Sequence, residues 1–198
     1  IMCLLPGLDH WRGLLALCLL LLGLQQALAA AVIQAKAWLA PALIERAWEQ
    51  TIAEGGRPVR PWPWADTWPV ARLIAPEAGV DLMVLAGDSG NALAFGPGLA
   101  SYSSPPGEGG VSVLAAHRDT HFAFLQHVRA GDELELVNTR GRVHRYQVQS
   151  AGVVDASREG ILIAGQATSL MLVTCDPFDT LRVGGPLRYV VRAVPQTL

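Results

Sequence analysis

One long apolar stretch dominates the start of the chain. Residues 13–33 hold no charged side chain, and Arg12 stands directly before them. A helix rises 1.5 Å per residue, so this stretch is roughly 30 Å long, which is the thickness of a bilayer's hydrocarbon core. The pattern therefore predicts a transmembrane helix over residues 13–33, with residues 1–12 as a short cytoplasmic end.

A cleaved signal peptide is the alternative for the same stretch. Ala27, Leu28 and Ala29 have the small-x-small form of a cleavage site. The apolar character continues past that site, which favours the uncleaved anchor. Both hypotheses export the chain from residue 34 onward.

Residues 34–60 have a different pattern. Apolar side chains recur at helix spacing over residues 34–54, where Pro41 should kink or restart the helix and Gly55 should help to end it. The following stretch, residues 57–69, is rich in proline and tryptophan. We interpret residues 34–60 as a helical stalk and linker, and we expect the tryptophans to pack on the next domain rather than bind a ligand.

Short apolar stretches separated by turns follow from residue 70 onward. Apolar and polar residues alternate with period two in "GDELEL" and "HRYQVQ", as they do in half-buried strands. The predicted strands are 71–76, 80–86, 92–96, 110–117, 132–138, 142–154, 168–175 and 186–194. Eight short strands with little helix predict an all-β fold, a closed or nearly closed β-barrel, with one short helix at 121–128.

The composition excludes several classes of function. Charged residues make up 16% of the chain and the net charge is −2, so no basic surplus points to nucleic acid and no acidic run points to a metal store. No CxxC motif or Cys/His cluster is present, which argues against structural zinc. A zinc site built from Cys175 and histidines remains a distant alternative. We expect no metal and no cofactor.

Cysteine usage singles out one thiol. Cys175 is the only cysteine after residue 34. Exported proteins usually pair their cysteines, so a leftover thiol in this part of the chain is a candidate for a free, reactive group. The structural interpretation is a small buried hydrophobe, because free cysteine is among the most buried residue types.

Two other residues near predicted strand ends complete a set with acyl-transfer chemistry. His117 follows one apolar stretch, and Arg188 opens the last strand after a Gly-Gly-Pro turn. A thiolate is a nucleophile, a nearby histidine can take its proton and return it to a leaving amine, and a guanidinium can stabilise an oxyanion. Histidines and strand arginines are more often structural or solvated. The competing residues are His10, His121, His127 and His144, and Arg182 and Arg192.

The segments around these residues resemble the sortases, the cysteine transpeptidases of bacterial cell surfaces. "LVTCDPF" resembles the TLxTC motif of the nucleophile, which implies Cys175. "AAHRDTHF" resembles the segment of the catalytic histidine and implies His117, and "GGPLRYVV" resembles the final strand, which selects Arg188. The resemblance covers roughly residues 61–194 and is strongest to the Gram-negative, marine proteobacterial group. It implies a closed eight-stranded sortase-type β-barrel over residues 61–198.

The resemblance also implies a mechanism and a location. Cys175 would cleave an LPxTG-like sorting signal near the C-terminus of a substrate protein, and an amine-bearing acceptor would resolve the thioester. Thr174 would help to position the sorting peptide. The chain would be a single-pass protein of the inner membrane with its catalytic domain on the periplasmic side. Ala116 stands where the family usually has glycine, and it would be strained if that position needs a positive φ.

Two other functions are compatible with the same residues. The first is a cysteine hydrolase of the same fold that uses water as the acceptor. The second is a non-catalytic exported β-barrel that binds peptides and buries Cys175. The acceptor site leaves no motif in the sequence, so the sequence does not separate transfer from hydrolysis.

Overall fold

A computed structural model describes residues 8–158, 168–180 and 184–196. Residues 1–7 of the predicted cytoplasmic end therefore lie outside the described part. The chain folds as two compact units, residues 1–42 and residues 43–198.

The N-terminal helix α1, Leu8–Ala53, is one continuous element. It includes the predicted membrane segment, and it is long and apolar enough to cross a membrane, judged by length and composition alone. Pro41 lies inside the helix, so the predicted restart at this residue is wrong. Gly55 and Gly56 follow the helix with positive φ angles of 72° and 98°, which explains why it ends where the two glycines stand.

Eight strands form a closed barrel, as the sequence predicted. The order around the barrel is β1-β2-β3-β4-β7-β8-β6-β5. The strands are β1 Pro69–Ala75, β2 Val80–Ala86, β3 Gly98–Leu99, β4 Val111–Ala115, β5 Glu133–Asn138, β6 Val143–Asp155, β7 Ser169–Cys175 and β8 Leu187–Pro195. Short helical elements lie at Pro76–Ala78, at Gly90–Leu93, which we call α2, and at Ala123–His127. The last of these lies within the short helix predicted at 121–128.

The strand predicted at 92–96 is wrong, because α2 occupies the start of this segment and β3 begins only at Gly98. A short apolar stretch does not distinguish a buried helix from a strand. Ala92 packs in a small cluster with Ile44 and Leu85, and the burial of Ala92 stabilises a helical turn here. At Gly98 the backbone lies against the carbonyl of Gly87, where an added Cβ atom would have no room.

The tryptophan-rich segment before the barrel packs only in part. Trp62 contacts Phe95 edge-on at a centroid distance of 5.4 Å and packs against the same small cluster as Ala92. Trp64 is 80% exposed. The expectation that these tryptophans pack on the domain is therefore met by Trp62 and not by Trp64.

Strand β7 is buried on both faces of the sheet. Leu170 and Leu172 belong to the main cluster inside the barrel, whereas Met171 and Val173 belong to a second cluster on the opposite face. We call this second set the outer apolar cluster, and it comprises Ala100, Val111, Val113, Met171, Val173 and Val190. A strand covered on both sides is typically a continuous apolar run, and this is the pattern that precedes Cys175.

Candidate active site

Parallel pairing between β4 and β7 brings the candidate histidine and cysteine to the same end of the barrel. Ala115, the last residue of β4, lies opposite Val173 in this pairing. His117 and Cys175 each follow two residues later, so both lie at the same level where the two strands end. Cys175 is half-buried and is free, and the His117 side chain is exposed.

Antiparallel pairing between β7 and β8 places the candidate arginine beside the cysteine. Cys175 and Arg188 are direct partners in this register. Directly opposed residues of an antiparallel pair project from the same face, so both side chains lie on the face of the outer apolar cluster. Arg192, the competing arginine on this strand, lies opposite Met171 and is exposed, and Arg182 lies outside the described residues.

The guanidinium of Arg188 is held by backbone carbonyls of the segment that leads into β8. Its Nη1 donates to the carbonyl oxygens of Gly185 at 2.7 Å and Leu187 at 2.8 Å. An arginine side chain has five N–H donors. Among the described residues none accepts a hydrogen bond from Nε or Nη2 of Arg188, so these donors are available to a ligand.

Thr174 lies on the other face of β7 from Cys175. The residue is 2% exposed, and its hydroxyl donates to the carbonyl oxygen of Ala116 at 2.7 Å. The Ala116 N–H donates in turn to the Val173 carbonyl oxygen at 3.3 Å. These two bonds tie the residue before His117 to the residues before Cys175.

Ala116 fits this junction without backbone strain. Among the described residues, no residue other than glycine has a positive φ. The alanine is 6% exposed and packs in the interior cluster of the barrel. The departure from the usual glycine therefore does not force a left-handed conformation at this position.

A tight turn follows His117. The Phe122 N–H donates to the His117 carbonyl oxygen at 3.0 Å, and the Phe122 ring is fully buried in the barrel interior. His121, in the same turn, is half-buried. Burial lowers the pKa of His121 below its ordinary value, and the charge of nearby His117 lowers it further.

Arg118 makes a contact that the sequence did not predict. Its Nη2 donates to the carbonyl oxygen of Thr180 at 2.9 Å, across 62 residues of sequence. Thr180 lies in the connection between β7 and β8, where Asp176–Pro177 is a cis peptide and Phe178 packs edge-on against Tyr189. Hydrophobic periodicity carries no signal for a bond of this kind, which joins a side chain to a distant backbone.

Of the competing histidines, His121 lies in the turn after His117, and the other three lie on other elements of the chain. His144 alternates with the buried residues Tyr146 and Val148 and is half-buried, so it lies on the inward-facing side of β6. Its Nε2 lies 3.0 Å from the Asn138 side-chain nitrogen. His127 ends the short helix at Ala123–His127 and is exposed. His10 lies in α1, far from this junction in sequence.

The described residues hold no group of three or more His, Cys, Asp or Glu side chains placed to bind a metal ion. The arrangement at the strand ends instead combines a free thiol, an imidazole and a guanidinium. A nucleophile, an acid–base group and a cation for an oxyanion are what acyl transfer needs.

Comparison with known proteins gives the family. Residues 73–196 match the sortase domain family. Sortase D of Bacillus subtilis (strain 168) is 30% identical over 117 residues, and the match covers 59% of this chain. The chain spans 58% of the length of that curated relative.

Solved structures of sortases share the fold. A Clostridium perfringens sortase D5 transpeptidase superposes with a TM-score of 0.61 at 19% identity, covering 78% of this chain and 94% of that chain. Streptococcus agalactiae sortase C1, solved in complex with MTSET, superposes with a TM-score of 0.58 at 25% identity, covering 66% of this chain and 70% of that chain. The family match extends over most of the barrel and well over half of the chain, and this protein therefore belongs to the sortase family.

Proposed function

We propose that this protein is a membrane-anchored cysteine transpeptidase. One observation carries the proposal: Cys175 lies directly opposite Arg188 and at the same level as His117, at one end of the barrel. In this proposal Cys175 is the nucleophile, His117 is the acid–base group and Arg188 stabilises the oxyanion or holds the peptide.

The first half-reaction forms an acyl-enzyme. His117 takes the proton of the Cys175 thiol, the Sγ thiolate attacks the carbonyl carbon of the scissile peptide bond, and the carbonyl oxygen becomes an oxyanion. The free N–H donors of Arg188 can bind that oxygen, because a guanidinium stays charged at all relevant pH values. His117 protonates the leaving amine, the carbon–nitrogen bond breaks and a thioester remains on Cys175.

The second half-reaction transfers the acyl group. An amine attacks the thioester carbonyl, His117 accepts the proton of that amine, and the thiolate of Cys175 leaves as the new amide forms. The position of His117 at the end of β4 and its exposed side chain support this role, because both the leaving and the incoming amine must reach it.

For the substrate we propose a protein with an LPxTG-like sorting signal near its C-terminus. Cleavage would follow the threonine of the signal, and the strands that flank Cys175 would form the peptide groove. Thr174 is buried and faces away from Cys175, so we propose that it acts on the peptide only by fixing where His117 and Cys175 lie.

For the location we propose the inner membrane of a Gram-negative bacterium. Residues 13–33 would be the anchor, residues 34–60 the stalk and linker, and residues 61–198 the catalytic domain on the periplasmic side. The length and composition of α1 support the anchor. The segments "ALAFGPG" and "PWPWADTWPVARL", which resemble those of the Gram-negative group of sortases, support this location.

Mass spectrometry of the chain with an LPxTG-like peptide tests the proposal. A thioester on Cys175 that an added amine converts into a ligated peptide is the expected result, and Cys175→Ala should form neither product. A thioester that only water resolves would instead indicate the hydrolase. Absence of any adduct, together with a Cys175 thiol that iodoacetamide does not alkylate, would refute the catalytic proposal.

A further inference from the structure

Arg118 is the neighbour of His117, and its long side chain reaches the connection that follows Cys175. The Nη2 atom donates to the Thr180 carbonyl oxygen at 2.9 Å. A hydrogen bond from a charged donor is roughly twice as strong as one between neutral groups. The Arg118 side chain is half-buried, so water competes only in part for this donor.

Hydrogen bonds join the His117 segment to the Cys175 segment at two places. On one side of His117, Ala116 is bonded to Thr174 and Val173, the two residues before Cys175. On the other side, Arg118 is bonded to Thr180, after Cys175. His117 is therefore flanked by two residues that are bonded to the chain before and after Cys175.

The same bond reaches toward the third residue of the site. Thr180 lies in the connection that leads to β8, where Arg188 is bonded to the carbonyl oxygens of Gly185 and Leu187. At the start of the connection, the Asp176 N–H donates to the Leu187 carbonyl oxygen at 3.1 Å. Fixing Thr180 therefore restrains residues 176–180, the part of the connection that begins directly after Cys175.

We propose that Arg118 is a positioning residue that holds His117 in reach of Cys175 by fastening the histidine segment to the connection between β7 and β8. The inference rests on the proposed function of His117 and Cys175. Without the Arg118 bond, the histidine segment keeps the bonds of Ala116 to β7 and the bond from Phe122 to the His117 carbonyl oxygen, but it loses this bond to the connection that follows Cys175. Because a displacement of about 1 Å can cost roughly 100-fold in rate, the loss should appear in the chemical step.

The central experiment compares Arg118→Ala with the unchanged chain in single-turnover acylation by an LPxTG-like peptide. The acylation rate at saturating peptide should fall roughly 10- to 100-fold, whereas the peptide concentration at half-maximal rate should change less than about threefold. Arg118→Lys keeps the charge but lacks the planar fork, so it should recover part of the rate. Arg142→Ala is the matched control, because Arg142 is an exposed arginine in the hairpin between β5 and β6, and it should leave the rate unchanged.

A double-mutant cycle separates positioning from a general loss of structure. If Arg118 acts through His117, Arg118→Ala should lower the residual rate of a His117→Ala chain less than about twofold. An equal loss in both backgrounds would overturn the proposal, because Arg118 would then act independently of the histidine. An Arg118→Ala chain that acylates within twofold of the unchanged chain, or that changes only the half-saturating concentration, would overturn it as well.

Alkylation of Cys175 by iodoacetamide gives a readout that needs no peptide. At one fixed pH, His117→Ala should be alkylated more slowly than the unchanged chain, and Arg118→Ala should move the rate toward that of His117→Ala. If Arg118→Ala does not fold, Arg118→Lys and Arg118→Gln carry the same comparison. An unchanged chain that forms no thioester refutes the proposed function, whereas an unchanged chain that forms it alongside an equally active Arg118→Ala refutes only the role of Arg118.

Discussion

Replacing Thr174 with valine should destabilise the barrel at the junction of β4 and β7, where His117 and Cys175 leave their strands. The hydroxyl of Thr174 donates to the Ala116 carbonyl oxygen at 2.7 Å, and both residues are buried. Valine has nearly the shape of threonine, so the change removes the hydrogen bond and leaves little cavity. The Ala116 carbonyl then loses the donor that Thr174 supplies.

The size of the effect follows from burial. A typical hydrogen bond contributes about 0.5–1.5 kcal/mol to stability, and leaving a buried acceptor unsatisfied costs about 1–3 kcal/mol. We therefore expect Thr174→Val to lower the free energy of unfolding by about 1–3 kcal/mol. For a domain of this size each kcal/mol lowers Tm by about 2–4 °C, so Tm should fall by roughly 2–12 °C.

Urea unfolding of the full chain in a mild detergent, followed by tryptophan fluorescence, measures this difference. Thr174→Ser is the matched control, because serine keeps the hydroxyl and loses one methyl group. Serine should cost roughly 1 kcal/mol through lost packing alone. Serine should also keep the acylation rate of Cys175 close to that of the unchanged chain, whereas valine should lower it by displacing His117.

Two results would refute this account of Thr174. A valine variant as stable as the unchanged chain would mean that the hydrogen bond contributes nothing net at this junction. A serine variant that loses as much acylation rate as the valine variant would mean that the methyl group, and not the hydroxyl, positions the site.

The remaining predictions concern other parts of the barrel and the site. Arg188→Lys should lower the acylation rate about 10- to 100-fold because it loses the planar fork, and single-turnover kinetics with a rate unchanged within twofold would contradict its role. Burial, and then the charge of His117, lower the pKa of His121 from 6.5, so the unfolded chain binds the proton more readily than the folded chain. The free energy of unfolding should therefore fall as pH drops below about 6.5. Replacing His121 by glutamine should flatten this dependence in urea unfolding between about pH 5 and 7.5, and equal slopes for the two chains would refute it. Gly98→Ala should cost about 1–3 kcal/mol by overpacking against the Gly87 carbonyl, whereas Gly152→Ala, where nothing lies within 4 Å of the added Cβ, should stay within about 0.5 kcal/mol in the same urea assay.

The barrel was largely predictable from the sequence because its strands carry local signals. Apolar and polar residues alternate in β5 and in the first half of β6, and glycine-rich turns separate most elements. The failure at 92–96 has a physical cause, since this stretch is too short for its periodicity to separate helix from strand. The close approach of Gly98 to Gly87, which fixes where β3 lies, depends on residues that the chain brings together only on folding.

The candidate residues of the site could be chosen from the sequence, whereas their arrangement could not be predicted from it. Residue chemistry and resemblance selected Cys175, His117 and Arg188. Nothing local in the sequence predicts that β4 and β7 pair in parallel with Ala115 opposite Val173, because this pairing joins segments far apart in the chain. The same limit applies to the bond from Arg118 to Thr180.

Burial along β7 explains why an apolar strand ends in a thiol. On the outer face, Met171 and Val173 are 3% and 8% exposed, and Cys175 is the first residue of this series that is only half-buried. On the inner face, Leu170, Leu172 and Thr174 are buried without a break, so the backbone is held rigidly up to the residue before the cysteine. A nucleophile needs access to its substrate and a fixed position at the same time. The end of a strand that is buried on both faces meets both needs. Thr174 on the inner face is fixed by its bond to Ala116, and Cys175, one residue later on the outer face, is only half-buried.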